Sequence, residues 1–161
     1  MINKKLKIIL LFLSIILISE CGYVPIYSAK DINFYIQDSI LSGDKEIAQD
    51  IIDRVTRFER KEKVKENTKK IILEIDVERN KSDAVKDKTG KIVTYKMEII
   101  VDIKAKILDS GNYFYSERLI NSLNYDKQSQ ISETINLEKS VIRNIISKLA
   151  NDIILRINQS I

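Results

Sequence analysis

The residue types that most often carry out enzyme chemistry are scarce in this sequence. It contains no histidine, which excludes His-based catalytic triads and zinc sites with histidine ligands. Its four glycines are scattered, so the chain has no glycine-rich phosphate loop. Carboxylates are plentiful, but no two of them stand at an informative spacing on an apolar surface. We therefore expect a protein that is not an enzyme and that holds no metal ion or other cofactor.

The single cysteine, Cys21, stands in a context that predicts covalent modification. Three lysines within the first seven residues precede an apolar run over 8–18, which only Ser14 interrupts. A basic start followed by such a run is typical of a secretory signal. The run is well short of the roughly 20 apolar residues that a membrane-spanning helix needs. A cysteine just after it resembles the signal of bacterial lipoproteins, in which the thiol receives a diacylglycerol group and becomes the new N-terminus.

Lipidation at Cys21 would divide the chain into three parts. We expect residues 1–20 to be a lipoprotein signal peptide, 21–31 a lipidated N-terminus and tether, and 32–161 a single domain. Acyl chains anchor such a domain because each buried methylene contributes about 0.8 kcal/mol. Glu20 stands where a small residue usually precedes the cysteine. An uncleaved N-terminal anchor and a free thiol after ordinary signal cleavage are the alternatives.

Apolar periodicity beyond residue 31 predicts the order strand, helix, three strands, helix. The apolar stripes of the two helices are wide enough to require burial, and the strands offer one matching face. The pattern therefore predicts an α+β fold, a two-layer sandwich in which two helices pack on one face of an about four-stranded, mostly antiparallel sheet. The predicted strands are 32–41, 69–79, 92–108 and 113–123. The first predicted helix is 45–62, with Asp44 as its N-cap, and the second runs from Ser132 or Glu133 to about Asn158.

Cations cluster in the polar connection predicted over 80–91, between the second and third strands. Four positive side chains stand there and Arg79 directly precedes them, which gives five against Asp83 and Asp87. Clustered cations bind phosphate oxygens well. The sequence therefore predicts a phosphate site at this hairpin tip, with an ordinary solvated tip as the alternative. The candidate residues are Arg79, Lys81, Lys86, Lys88 and Lys91.

The overall charge gives no support for nucleic-acid binding. The whole chain has a net charge of +4, with 27 basic and 23 acidic residues. Without residues 1–20, which hold three lysines and Glu20, 24 basic and 22 acidic residues remain, a net charge of +2. Charges of both signs are mixed along the chain, as on a solvated surface.

Both ends of the expected mature chain resemble a known family. Residues 21–27, CGYVPIY, are similar to the CGFRPLY-type start of the lipopolysaccharide-assembly lipoproteins, LptE, particularly their alphaproteobacterial members. The order of predicted elements matches that family, including a long C-terminal helix with a pattern like LAxxIxxRI. That pattern stands here as LANDIILRI over 149–157. Residues 32–161 would then form one LptE-like α+β domain.

This resemblance implies an outer-membrane lipoprotein that plugs and helps to assemble the LptD β-barrel translocon, taking part in lipopolysaccharide insertion at the cell surface. Its partners would be an LptD-type barrel, lipopolysaccharide, and the inner leaflet of the outer membrane through the lipid anchor. The domain would lie on the periplasmic side and inside the barrel lumen. Two alternatives are a non-enzymatic envelope scaffold lipoprotein and a periplasmic lipid-binding domain.

Overall fold

The computed structural model describes residues 32–59 and 68–161, which form four strands and two helices. The predicted signal peptide, Cys21 and the tether lie outside the described residues. The order of elements, β-α-β-β-β-α, confirms the predicted one. The elements are β1 (Phe34–Gly43), α1 (Lys45–Glu59), β2 (Lys69–Lys86), β3 (Ile92–Ile107), β4 (Tyr113–Asp126) and α2 (Ile131–Ser160).

The four strands form one mixed sheet in the order β1-β2-β3-β4. β1 pairs with β2 in parallel, because the chain returns through α1 before it enters β2. β2 with β3 and β3 with β4 are antiparallel pairs joined by short connections. The predicted, mostly antiparallel α+β arrangement is therefore confirmed.

One face of the sheet forms the core together with both helices. Along β2 and β3 the buried side chains alternate with exposed or half-exposed ones, as the period-2 pattern predicts. The buried strand positions are Ile71, Leu73, Ile75, Val77, Met97, Ile99, Val101, Ile103 and Ala105. The helices cover them with Ile47, Ala48, Ile51, Ile52 and Val55 of α1, and with Val141, Ile145, Ile146, Leu149, Ala150, Ile153, Ile154 and Ile157 of α2. Each fully buried Ile or Leu contributes about 1.5–3 kcal/mol, so this interface holds the fold together.

Gly43 and Asp44 make the turn from β1 into α1. Gly43 has a φ of 71°. A Cβ added there would lie 2.0 Å from the carbonyl oxygen of Val77, so only glycine fits. The backbone N–H of Asp44 donates to the same carbonyl at 2.8 Å. The Asp44 carboxylate accepts from the N–H of Ile47 at 3.3 Å, which confirms the predicted N-cap.

The connection between β4 and α2 is shorter than the predicted loop over 124–132. β4 continues to Asp126 because Tyr125 is a core residue, only 4% exposed. Helix α2 begins at Ile131, so the loop consists of 127–130. Because this stretch is mostly polar, the sequence does not reveal that the side chain of Tyr125 faces the core and extends the strand.

Candidate functional site

β2 and β3 project as a hairpin beyond the part of the sheet that β1 covers. The β1 ladder ends opposite Val77, whereas β2 continues to Lys86, which lies opposite Ile92. The predicted polar connection over 80–91 is therefore wrong in its first part, because 80–86 belong to β2. Apart from Ala84 and Val85 the side chains of this segment are polar, and both of its faces are largely exposed, so it lacks the alternation that identifies a strand. Its backbone is nevertheless paired with β3.

Asp87 builds the turn that closes the hairpin. One carboxylate oxygen accepts the hydroxyl and the N–H of Thr89, at 2.7 and 2.8 Å, and the N–H of Lys91 at 3.0 Å. These hydrogen bonds, chiefly that from the Thr89 hydroxyl, hold the pKa of Asp87 below its usual range. Gly90 has a φ of 81° and supplies the turn, as the sequence predicts. The hairpin tip is therefore an ordered turn that is held by hydrogen bonds to the ionised carboxylate of Asp87.

The structure separates the five cations of the predicted phosphate site. Arg79 lies at the base of the hairpin, with its Nε 3.1 Å from the Asp44 carboxylate. The Nζ of Lys81 lies 2.6 Å from the Glu138 carboxylate of α2. At 3.3 Å per residue, Arg79 and Lys86 are about 23 Å apart along the strand, too far to share one phosphate. Arg79 and Lys81 therefore hold the hairpin to the helices.

Three cations remain together at the tip: Lys86, Lys88 and Lys91. The Nζ of Lys86 lies 3.4 Å from the Asp83 carboxylate, and both side chains are largely exposed, at 56% and 41%. Within residues 32–59 and 68–161, Lys88 and Lys91 form no ion pair. Among the described residues, the tip thus presents two ammonium groups without a carboxylate partner and a third in an exposed pair.

Four side chains, which we call the tyrosine clamp, fasten the hairpin to α2: Lys81, Tyr95, Tyr125 and Glu138. The Nζ of Lys81 lies 4.5 Å from the ring centre of Tyr95 and 5.8 Å from that of Tyr125. The two ring centres are 5.6 Å apart. The hydroxyl of Tyr125 donates to Glu138 Oε2 at 2.7 Å, the same oxygen that Lys81 contacts. Cation–π contacts and charge-assisted hydrogen bonds therefore converge on one point.

The clamp favours the charged forms of its ion pair. The hydrogen bond to Glu138 raises the pKa of Lys81, despite partial burial. Burial acts to raise the pKa of Glu138, but the hydrogen bonds from Lys81 and Tyr125 outweigh it and the pKa is lowered. Burial and the bond to Glu138 raise the pKa of Tyr125. These shifts favour the ionised forms of Lys81 and Glu138 and the neutral form of Tyr125, which suits a structural contact.

The sequence analysis missed the clamp, although one signal for it was present. Glu138 falls between Ile135 and Ile142 at helical steps of three and four, within the apolar stripe of α2. A carboxylate at an inward position requires a partner. Nothing local to Glu138 identifies Lys81 as that partner, because 57 positions separate them.

The sheet face away from the helices carries ion pairs that join neighbouring strands. Glu74 Oε1 accepts from the hydroxyl of Tyr113 at 2.7 Å and from Lys106 Nζ at 2.9 Å. Arg118 binds both oxygens of Asp102, each at 2.7 Å. The Tyr113 hydroxyl and Lys106 lower the pKa of Glu74, and Arg118 lowers that of Asp102. These carboxylates remain ionised near neutral pH, so neither suits general acid–base catalysis.

Two further kinds of site can be assessed in the part of the chain that the structure describes. There, no three His, Cys, Asp or Glu side chains are grouped so that they could hold a metal ion. No helix within 32–59 or 68–161 has both the length and the apolar character needed to cross a bilayer. The predicted lipidation residue, Cys21, lies outside this part of the chain.

Comparison with known proteins identifies the fold. No protein-family model matches the chain, and no curated protein matches it. A minor lipoprotein from Acinetobacter baumannii has a TM-score of 0.58 at 14% identity, with 78% of this chain and 93% of that chain covered.

Two further solved structures give the same result. Rare lipoprotein B from Shewanella oneidensis has a TM-score of 0.55 at 15% identity, with 76% of this chain and 94% of that one covered. Lipoprotein B from Nitrosomonas europaea has a TM-score of 0.53 at 14% identity, with 78% and 84% covered. At such low identity the similarity shows the fold alone: this chain has a fold that is found in bacterial lipoproteins.

Proposed function

We propose that this protein is a lipopolysaccharide-assembly lipoprotein of the LptE type, anchored through Cys21 in the inner leaflet of the outer membrane. In this role it plugs and helps to assemble an LptD-type β-barrel and takes part in lipopolysaccharide insertion. One observation carries the proposal: the domain aligns over 94% of a rare lipoprotein B, behind an N-terminal CGYVPIY that resembles the LptE start. No enzymatic activity is part of the proposal.

The sheet face away from the helices supports the role of a plug. A plug needs a polar exterior, because the lumen of a large outer-membrane barrel is polar. The pairs of Lys106 with Glu74 and of Arg118 with Asp102 place balanced charge on this face. These paired side chains can lie against a hydrated wall without being left uncompensated.

The hairpin tip supports the binding of lipopolysaccharide. Lys86, Lys88 and Lys91 are exposed there and offer donors for lipid A phosphates. Val85 and Val93 nearby are 49% and 38% exposed. An apolar contact beside a cationic one suits an amphiphilic ligand.

Co-purification tests the barrel partner directly. The full-length chain, tagged at its C-terminus, would be purified from detergent-solubilised envelopes and its companions identified by mass spectrometry. We expect a large outer-membrane β-barrel in stoichiometric amount. Recovery of the protein alone, or in inner-membrane fractions, would contradict the proposal. Cys21→Ser should move the protein out of the membrane fraction, which tests the anchor separately.

Charge reversal tests the lipopolysaccharide site at the tip. We expect Lys86→Glu, Lys88→Glu and Lys91→Glu together to weaken lipopolysaccharide binding while the fold stays intact, because these side chains have few contacts within the domain. Binding would be measured at fixed ionic strength, and the fold would be checked by circular dichroism.

A matched variant controls for the change in net charge. Lys45, Lys70 and Lys139 are exposed and lie outside the hairpin tip, with Lys70 at the opposite end of β2. Reversal of these three should leave binding nearly unchanged. Equal weakening by both variants, or no weakening by either, would remove the tip from the proposal.

The filled core argues against a lipid carrier. A carrier would need a cavity between the sheet and the helices, whereas Phe34, Ile51, Leu73, Ile99 and Ile153 fill that space and are each at most 1% exposed.

An envelope scaffold would have the same fold and anchor but no affinity for lipopolysaccharide. The tip experiment therefore separates this alternative from the proposed function.

A further inference from the structure

A groove of about 340 Å³ lies between the two helices. At 1.5 Å per residue, its lining on α2 begins about 13 Å along the helix from the clamp residue Glu138. It is therefore distinct from the clamp. Its lining residues are Arg54, Arg57 and Phe58 of α1 and Ser147, Ala150 and Asn151 of α2.

Two guanidinium groups line one side of the groove. Arg54 and Arg57 are three positions apart, so both lie on the same face of α1. The Nε of Arg57 donates to the backbone carbonyl of Asp53 at 3.1 Å. The Asp53 carboxylate itself accepts from the side chain of Gln49 at 2.9 Å. Among the residues that the structure describes, neither arginine forms an ion pair.

The position of these arginines is only partly explained by helix stability. Arg57 lies in the last turn of α1, where a cation interacts favourably with the helix dipole. Arg54 lies before that turn and is only half-exposed. Among the described residues it forms no ion pair, so its guanidinium has donors available for an anionic ligand.

The remaining walls combine apolar surface with neutral hydrogen-bonding groups. Phe58 is half-buried against the core and lines the groove with its ring, whereas Ala150, which is 1% exposed, closes the floor of the groove. Ser147 and Asn151 are half-buried opposite the arginines. In the described part of the chain their side chains make no hydrogen bond to protein. A ligand here would therefore meet two cations, further polar groups and an apolar surface.

We propose that this groove binds a phosphate monoester that carries an apolar group. A carboxylate has two oxygens and is satisfied by one guanidinium fork, whereas a phosphate offers three oxygens that two guanidiniums can share. The ring of Phe58 would contact the apolar group. A phospholipid headgroup and a soluble phosphate monoester share this chemistry. The site depends neither on the barrel partner nor on the hairpin tip.

Calorimetric titration of four related compounds tests the ligand class. The full-length chain in phosphatidylcholine nanodiscs would be titrated with hexyl phosphate, hexanoate, hexanol and inorganic phosphate. We expect hexyl phosphate to bind at least about tenfold more tightly than the other three, because only it makes both kinds of contact. Equal affinity for hexanoate or hexanol, or no measurable binding of hexyl phosphate, would overturn the proposal.

Substitutions locate the binding. Arg54→Gln with Arg57→Gln should weaken hexyl phosphate binding at least about tenfold, and Ser147→Leu should weaken it by filling the groove. Lys127→Gln with Lys139→Gln removes the same charge elsewhere and should leave the affinity unchanged. Loss of the same size in this control, or full affinity in the arginine variant, would overturn the proposal. Thermal melting shows whether each variant is folded.

Nanodiscs that contain phosphatidic acid distinguish the two sources of phosphate. If the lipid occupies the groove, it will lower the apparent affinity for hexyl phosphate. If the natural ligand is a soluble monoester, the affinity will be the same in both kinds of nanodisc. The arginine variant should still co-purify with the barrel partner, so failure of this inference and failure of the proposed function give different results.

Discussion

Replacement of Lys81 by Met is the sharpest test of how the hairpin is held. The substitution removes the cation of the tyrosine clamp and retains most of the apolar length of the side chain. It leaves Glu138 with one hydrogen-bond donor instead of two, and it leaves the ring of Tyr95 without its ammonium partner. We expect the free energy of unfolding to fall by about 1–2 kcal/mol.

The magnitude follows from two contacts and their exposure. A hydrogen bond between charged groups contributes about 1.5–3 kcal/mol when it is well shielded. The Lys81 side chain is 41% exposed and that of Glu138 is 24% exposed, so solvent screening reduces this contribution to about 0.5–1 kcal/mol. The ammonium over the Tyr95 ring adds about 0.5–1 kcal/mol. The two contributions give the expected loss.

A double-mutant cycle isolates the ion pair. Lys81→Met, Glu138→Gln and the double variant would be compared by urea denaturation, with an expected coupling of about 0.5–1 kcal/mol. The exposed pair of Lys86 and Asp83 lies on the same strand at 3.4 Å and serves as the control. Its coupling should be near zero. A clamp coupling no larger than that of the control pair would refute the reasoning.

The pH dependence of the same cycle has a predicted sign. The pKa of Glu138 is lowered in the folded state, so its contribution is present above its ordinary value of 4.5 and is lost as the pH falls through the folded pKa. The pKa of Lys81 is raised, so its contribution is present below 10.5 and is lost as the pH rises through the folded pKa. The penalty for Lys81→Met should therefore be constant near neutral pH and shrink in acid.

Two further predictions concern the scaffold, and urea denaturation measures both. Gly43→Ala should destabilise the fold by more than about 2 kcal/mol, because a positive φ is combined with a Cβ 2.0 Å from the Val77 carbonyl. Gly111 has a φ of 66° but open space around it, so Gly111→Ala should lower the free energy of unfolding by only about 1 kcal/mol. Equal losses in the two glycine variants would contradict the steric argument. Ile153→Ala should cost about 2–5 kcal/mol by opening a cavity at a fully buried position. A loss below about 1 kcal/mol would mean that the core there collapses freely.

The fold could be predicted because its core depends on periodicity. The alternation over 92–108 places five inward side chains on one face, and the stripe of α2 fixes the face that covers them. The hairpin extension over 80–86 could not be predicted in this way. Its pairing depends on backbone hydrogen bonds to β3, and neither face of it is buried. A strand with two solvated faces has the composition of a loop.

The candidate site was harder to predict because proximity along the chain is a poor measure of proximity in space. Arg79 and Lys81 lie near Lys86 in sequence, yet their partners are Asp44, directly before α1, and Glu138, on α2. The sequence correctly singled out cationic side chains as the kind of residue that could bind an anion. It could not show which of them were already neutralised, because that depends on contacts between distant elements.

Both proposed binding sites combine cations with apolar side chains, Val85 and Val93 at the tip and Phe58 in the groove. The core of the protein is filled and its ion pairs on the sheet are balanced, so neither region gains much from a new polar contact. Within the described residues, the hairpin tip with Lys88 and Lys91 and the groove with Arg54 and Arg57 hold cations without carboxylate partners. The two places share no residue and lie on different elements, so their contributions to binding should be independent. On these proposals the protein would hold one anionic ligand at its tip and another between its helices.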